Sequence, residues 1–166
     1  VVAATSADLG IVVQAAKGCW GTLRRLVSEL SDAQKMQYLT GHTKPATGVA
    51  LHSHPVTKGG KTWHVTFQRR WMEQFPWLLY TNVLEGGICR HCILFPEQPK
   101  RGGSLDATPG SLVLTVYQSP YNKALGKDGI FACHEKSTMH CHATKQANLF
   151  LLGVRNPDSR IDVRLM

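Results

Sequence analysis

Two cysteines, Cys89 and Cys92, lie two residues apart in "GGICRHCILF", and two histidines, His134 and His140, lie five apart in "CHEKSTMHCH". The full spacing is C-x2-C-x41-H-x5-H. Thiolates and imidazoles are the ligands zinc takes in a closed tetrahedron, with the sulfurs commonly from a tight knuckle and the imidazoles from a helix. The spacing within each pair fits that chemistry, and the long gap implies a finger with an insertion. Six residues of regular helix advance about 9 Å, so His134 must precede the helix that carries His140, or the helix must be distorted between them. His142 therefore competes for the fourth position, and Cys133, Cys141 and His91 are weaker competitors.

Other chemistries fit less well. Free cysteines are often buried as small hydrophobes, which stays open for Cys89 and Cys92. A redox pair should precede a helix in a βαβ pattern, and "ILFPEQP" does not continue as one. "HEKSTMH" has Glu135 after His134, like a metalloprotease helix, but its second histidine falls at i+6 rather than i+4, so a hydrolase is disfavoured. His42, His52, His54 and His64 occupy a loop-rich region and receive no role.

The elements that must position these residues can be read coarsely. Leu23, Leu26, Val27 and Leu30 recur at helical spacing, predicting a helix from about Gly21. "SDAQKMQYLTG" predicts a second, with Ser31 and Gln34 as a capping box and Gly41 as its stop. Residues 43–61 have loop composition, rich in Pro, Gly, His and Lys. A core should begin at "WHVTFQRRWMEQFPWLLY", which holds six of the thirteen aromatics, because large aromatics dominate burial in small domains. Phe67, Trp71 and Phe75 predict a turn or two of helix before Pro76, followed by an extended "WLLY". "GGICRHCILF" reads as the next strand or hairpin arm, "PEQPKRGGSLDATPGS" as loop, and "LVLTVYQ" as a strand. "SPYNKALGKDGIF" reads as a turn-rich approach to the last element. Met139, Ala143, Ala147, Phe150 and Leu151 form a helical apolar stripe expected to end at Gly153.

Composition bounds the rest. A chain of 166 residues suits one small domain with an extra arm. Nineteen Lys plus Arg against eleven Asp plus Glu give a formal charge of +8, which points towards polyanions and leaves a solvated basic surface as the alternative. Five cysteines and the lack of a basic-then-apolar leader favour a reducing compartment. The longest apolar runs, such as "NLFLLGV", fall well short of the roughly 20 residues needed to cross a bilayer. The chain starts at Val1, so a fragment or processed piece is expected.

Taken in order, "FQRRWMEQFPWLLY", "GGICRHCILF", "ALGKDG" and "HEKSTMH" resemble the TTF-type zinc finger of hAT-superfamily transposases and their domesticated relatives, which include zinc-finger MYM-type proteins and repressor-of-the-inhibitor-of-protein-kinase-like proteins. The resemblance runs over about 30–152, with "LSDAQKMQYLT" resembling the lead-in. It implies Zn2+ held by Cys89, Cys92, His134 and His140, with Phe67, Trp71, Pro76, Trp77, Leu78 and Tyr80 as the family's aromatic motif. Members usually carry an N-W-K segment before "LGKDG", whereas this chain reads "YNKALGKDG", without the tryptophan.

The fold class expected is therefore α+β. A small zinc-stapled domain, 63–153, has short strands around the Cys-x-x-Cys knuckle and a C-terminal helix. A helical N-terminal arm, 1–45, and a loop, 46–62, precede it, and a tail, 154–166, leads to a missing domain. The resemblance implies a DNA partner, other proteins as further partners, a nuclear location, and no catalysis, which in such proteins belongs to a separate RNase H-like domain. The cations expected to face DNA are Arg69, Arg70, Arg90, Lys123, Lys127 and Lys136, the first three most directly, within a wider set that includes Lys58, Lys61, Lys100, Arg101 and Lys145. A zinc-stapled protein-interaction module and a degenerate transposon remnant are the rival readings.

Overall fold

The computed structural model describes residues 8–41, 45, 48, 50–97 and 111–156. Three short helices open the described chain: α1 (Gly10–Ala16), α2 (Trp20–Ser28) and α3 (Asp32–Thr40). The sequence reading missed α1. It is anchored by Asp8, whose carboxylate accepts from the backbone N–H of Gly10 at 2.8 Å, of Asn82 at 2.8 Å and of Val83 at 3.1 Å. Helix α3 carries the expected capping box, with Ser31 Oγ accepting from Gln34 N and Gln34 Oε1 accepting from Ser31 N. It stops at Gly41, as expected, but in an extended conformation (φ −63°, ψ 137°) rather than a left-handed one.

Leu9, Val13, Ala16, Leu23, Val27 and Leu39 from this helical region join the same buried cluster as Phe67, Trp71, Ile88 and Phe131. What was expected as an arm thus shares its apolar core with the rest of the chain. Arg90 strengthens the join. Its guanidinium donates to the carbonyls of Leu39 at 2.9 Å and Tyr38 at 3.3 Å, at the end of α3, and to the carbonyl of Pro76.

The expected loop 46–62 is corrected over its second half. Residues Ser53–Lys58 (β1) and Lys61–Thr66 (β2) pair antiparallel, from Ser53 opposite Thr66 to Lys58 opposite Lys61. The turn is Gly59 and Gly60, with φ of 59° and 73°. A two-residue turn with positive φ at both positions matches the twist of the strands it joins. Val56, Thr57, Thr62, Val65 and Thr66 flank it as β-branched residues. Loop-like composition masked a hairpin signature.

After α4 (Arg70–Gln74), β3 (Leu78–Thr81) pairs antiparallel with β4 (Gly86–Cys89), placing Leu78 opposite Cys89. "GGICRHCILF" is thus strand only as far as Cys89; Arg90–Leu94 is a helical turn, α5. The expected strand "LVLTVYQ" is also corrected. Leu112 has a φ of 66°, which breaks the extended run, and 112–118 touches β4 at separate points. Gly87 and Tyr117 exchange two backbone hydrogen bonds of 2.8–2.9 Å, and Cys89 N donates to Leu112 O at 2.7 Å. Leu112 and Val113 are nonetheless fully buried.

A 3-10 turn (Tyr121–Lys123) leads into α6 (Ile130–Lys136) and α7 (Thr138–Arg155). Helix α7 buries Met139, Ala143 and Ala147, as its stripe predicted, but continues through Gly153. A glycine inside a helix costs stability without forbidding the turn. Over the described residues the fold is therefore mixed helix and sheet, with two two-stranded sheets. At its centre, Phe67, Trp71, Tyr121 and Phe131 stack edge-on, with ring centroids 5.1 Å apart for Phe67 and Trp71 and 5.5 Å for Trp71 and Phe131. Such pairs add about 0.5–1.5 kcal/mol each beyond area burial.

Gly86 marks the tightest approach of β4 to residues 116–118. A Cβ there would lie 2.5 Å from Val116 Cγ2 and 2.6 Å from the Tyr117 carbonyl. Gly86→Ala should therefore destabilise the fold by roughly 1–3 kcal/mol through overpacking, read as a lower urea midpoint.

Candidate metal centre

The four residues picked out by spacing converge. One ligand atom from each of Cys89, Cys92, His134 and His140 lies within 4.8 Å of the other three. Cys89 Sγ is 3.4 Å from His140 Nδ1, Cys92 Sγ is 3.6 Å from the same nitrogen, and Cys92 Sγ is 3.6 Å from His134 Nε2. Zinc arms of about 2.3 Å to sulfur and about 2.0–2.1 Å to nitrogen, at tetrahedral angles, require edges of about 3.3–3.8 Å between ligand atoms. These three edges match that requirement. The donor set therefore fits a tetrahedral ion such as zinc.

Local backbone rules explain the convergence. Cys89 ends β4 and caps α5, and its sulfur accepts from Cys92 N at 3.5 Å, which is how a knuckle turns two thiolates to one side. The i+6 difficulty is resolved by a break: His134 lies in α6, Ser137 leaves the helical region (φ −64°, ψ 146°), and α7 restarts with His140 in its first turn. Ser137 Oγ caps the restart by accepting from His140 N at 3.2 Å. The competitors point elsewhere. His142 pairs with Glu97 at 2.8 Å, and Cys133 and Cys141 are exposed. Glu135 accepts from the Trp77 indole at 3.2 Å, an arrangement unlike a metalloprotease base.

Burial opposes the negative charge on Cys89, yet hydrogen bonds from Cys92, His134 and His140, with the charge on His134, take its pKa well below the ordinary thiol value. The Cys92 thiol is pushed strongly up by its hydrogen bond to Cys89, then by burial and by the neighbouring negative charges. Two buried sulfurs in contact cannot both ionise without a cation. Cys89, Cys92 and His140 are buried and His134 half-buried, so four protein ligands would close the coordination sphere, the pattern of a structural rather than a catalytic zinc site.

Two surrounding contacts escaped the sequence reading. Trp77 lies against both imidazoles, with ring centroids 4.8 Å from His134 and 5.0 Å from His140. His140 Nε2 is 3.2 Å from Thr144 Oγ1, which is 3.0 Å from His91 Nδ1. With Nδ1 of His140 facing the sulfurs, its Nε2–H donates to Thr144, whose hydroxyl donates to His91. Burial lowers the His91 pKa against the opposing charge of Cys89, with His140 and Arg90 adding to the lowering, which suits a neutral acceptor. The signal for Thr144 was its i+4 position from His140 on one helix face.

The cation set divides. Arg90 is held by three carbonyls, as described, and burial lowers its pKa with Cys89 opposing, while Arg69 donates to the Pro45 carbonyl. These two of the three residues expected to face DNA most directly are engaged inside the fold. Arg70, Lys123, Lys127 and Lys136 are exposed and form no ion pair among the described residues; Lys100 and Arg101 lie outside those residues.

In comparisons with protein-family models, with curated proteins and with solved structures, nothing matches this chain.

Metal analysis should find about one zinc per chain, and Cys92→Ser should lose it together with the cooperative unfolding transition. Because the Cys92 thiol is raised, a zinc ion bound there would have to displace its proton. The apparent zinc affinity should therefore climb with pH near neutrality, by about tenfold per pH unit for each proton released. Thr144→Val should weaken zinc binding by about 10–100-fold, and Thr144→Ser should retain it, in competition against a chromophoric chelator.

Proposed function

We propose that this protein is a zinc-dependent DNA-binding module of the TTF type, from a transposon-derived, hAT-like protein, and that it acts in the nucleus without catalytic activity of its own. The observation that carries the reading is the closed Cys2His2 donor set in a chain of net charge +8. The metal staples β4, α5, α6 and α7 into one platform, and cations around that platform neutralise phosphates. Arg70, Lys123, Lys127 and Lys136 are the exposed members of the expected set. Phosphate pairing releases counterions, so affinity should depend steeply on salt.

A second reading, a zinc-stabilised protein-interaction module, is favoured by Leu149 and Leu152, which are 61% and 56% exposed on α7. Among the described residues no helix is long and apolar enough to cross a membrane.

A gel shift with random duplex at 50 and 200 mM salt separates the two readings. Four phosphate contacts would weaken binding by about 100-fold across that range, and chelator should abolish it. Binding that barely responds to salt would favour apolar docking of a protein partner instead.

A further inference from the structure

We infer that the hairpin β1–β2 is a ribbon that docks on duplex DNA, with Lys58 and Lys61 paired across its tip and Trp63 beside them on the same face. The inference rests on the DNA-binding reading and deepens it, because it names the element that makes contact.

The hairpin projects from the domain. Every residue from 57 to 64 is exposed, whereas His54, Val65 and Thr66 at its base are half-buried. Opposed residues of an antiparallel pair share a face, and alternate positions along each strand share it too. The register therefore assembles Lys58 with Lys61, then Val56 with Trp63, then His54 with Val65 on one side. The other side carries Thr57 with Thr62, their hydroxyls 2.9 Å apart, then Pro55 with His64.

Two features of that first face point to an anionic partner. Like charges directly opposite on neighbouring strands destabilise a hairpin, and Lys58 opposite Lys61 is such a pair. Neither forms an ion pair among the described residues. Next to them Trp63 is 45% exposed, while Trp71 and Trp77 are buried. Two cations beside an accessible aromatic ring give phosphate neutralisation together with a flat surface for sugar or base edges.

Size and anchoring agree with this role. Strands about 4.8 Å apart, rising about 3.3 Å per residue, make a tip about 10 Å long that fits a major groove about 12 Å wide and 8.5 Å deep. The base is fixed to the core. His54 Nε2 accepts from Tyr121 N at 2.9 Å, His52 Nδ1 is 3.0 Å from the Tyr121 hydroxyl, and His52 N donates to the Tyr80 hydroxyl at 2.9 Å. His52 and His54 thereby tie the base of the ribbon to Tyr80 and Tyr121 of the aromatic cluster.

The test uses the zinc-loaded 166-residue chain, the double variant Lys58→Gln/Lys61→Gln, and Trp63→Ala, each titrated with a 20-base-pair random duplex at several salt concentrations. The double variant should keep its zinc and melt no lower than the parent, since it relieves the cross-strand repulsion. Its plot of log affinity against log salt should be shallower by about 2, about 0.9 per lost phosphate contact. Trp63→Ala should bind on the order of tenfold more weakly at every salt with the slope unchanged. Duplex should also shield the parent's exposed tryptophan from iodide quenching, an effect absent from Trp63→Ala. A parent that binds duplex while the double variant matches its affinity and slope overturns the hairpin assignment and leaves the DNA reading standing. So does iodide access to Trp63 that duplex leaves unchanged. A parent that binds no duplex even at 50 mM salt overturns both.

Discussion

Two sulfurs and two imidazole nitrogens, drawn from positions 89 to 140, must meet around one point, and most of the architecture follows from that demand. Strand β4 has to stop at Cys89 so that α5 can turn Cys92 back towards it. The last helical segment has to break at Ser137 so that His134 and His140 approach from two directions. Residues 112–118 close over β4 because Cys89 and Gly87 still have backbone groups to satisfy. Trp77 then covers both imidazoles and donates to Glu135 on α6.

Electrostatics makes that meeting point a place for a cation. One thiol is driven towards ionisation by its neighbours and the other away from it. The asymmetry arises because the Cys92 thiol and the two imidazoles hydrogen-bond to the Cys89 sulfur, while that same bond, burial and the Cys89 charge hold the proton on Cys92; a divalent ion would remove the conflict by pairing with both. The Thr144 and His91 bridge behind His140 extends the same logic outwards, fixing which ring nitrogen faces the sulfurs.

Cations elsewhere follow a division of labour set by burial. Arg90, next to the knuckle, is committed to the carbonyls of Tyr38, Leu39 and Pro76, so it couples the N-terminal helices to the Cys-x-x-Cys segment. A planar guanidinium with several donors suits such a multi-carbonyl contact better than lysine would. The exposed lysines have no such commitment among the described residues. The hairpin belongs to the same outer layer: it adds little to the core beyond its base, where His52 and His54 bond to Tyr80 and Tyr121.

The amino-acid sequence by itself was enough to point to Cys89, Cys92, His134 and His140 as a candidate donor set, because cysteine and histidine are rare and their spacing is a local property, while the folded geometry set the competitors at 91, 133, 141 and 142 apart from them. It also specified the capped helix at Ser31, the Trp71 turn, and the buried stripe of α7, all of which depend on neighbours within one or two turns. Its Gly59–Gly60 pair held the hairpin signal as well, though the loop-like composition around it hid the alternation. Tertiary structure alone decided the rest. The irregular path of 112–118 and the internal engagement of Arg69 and Arg90 each depend on partners far away in the chain. Hydrogen-bond satisfaction and packing between distant segments set those outcomes, and neither is visible to periodicity or composition.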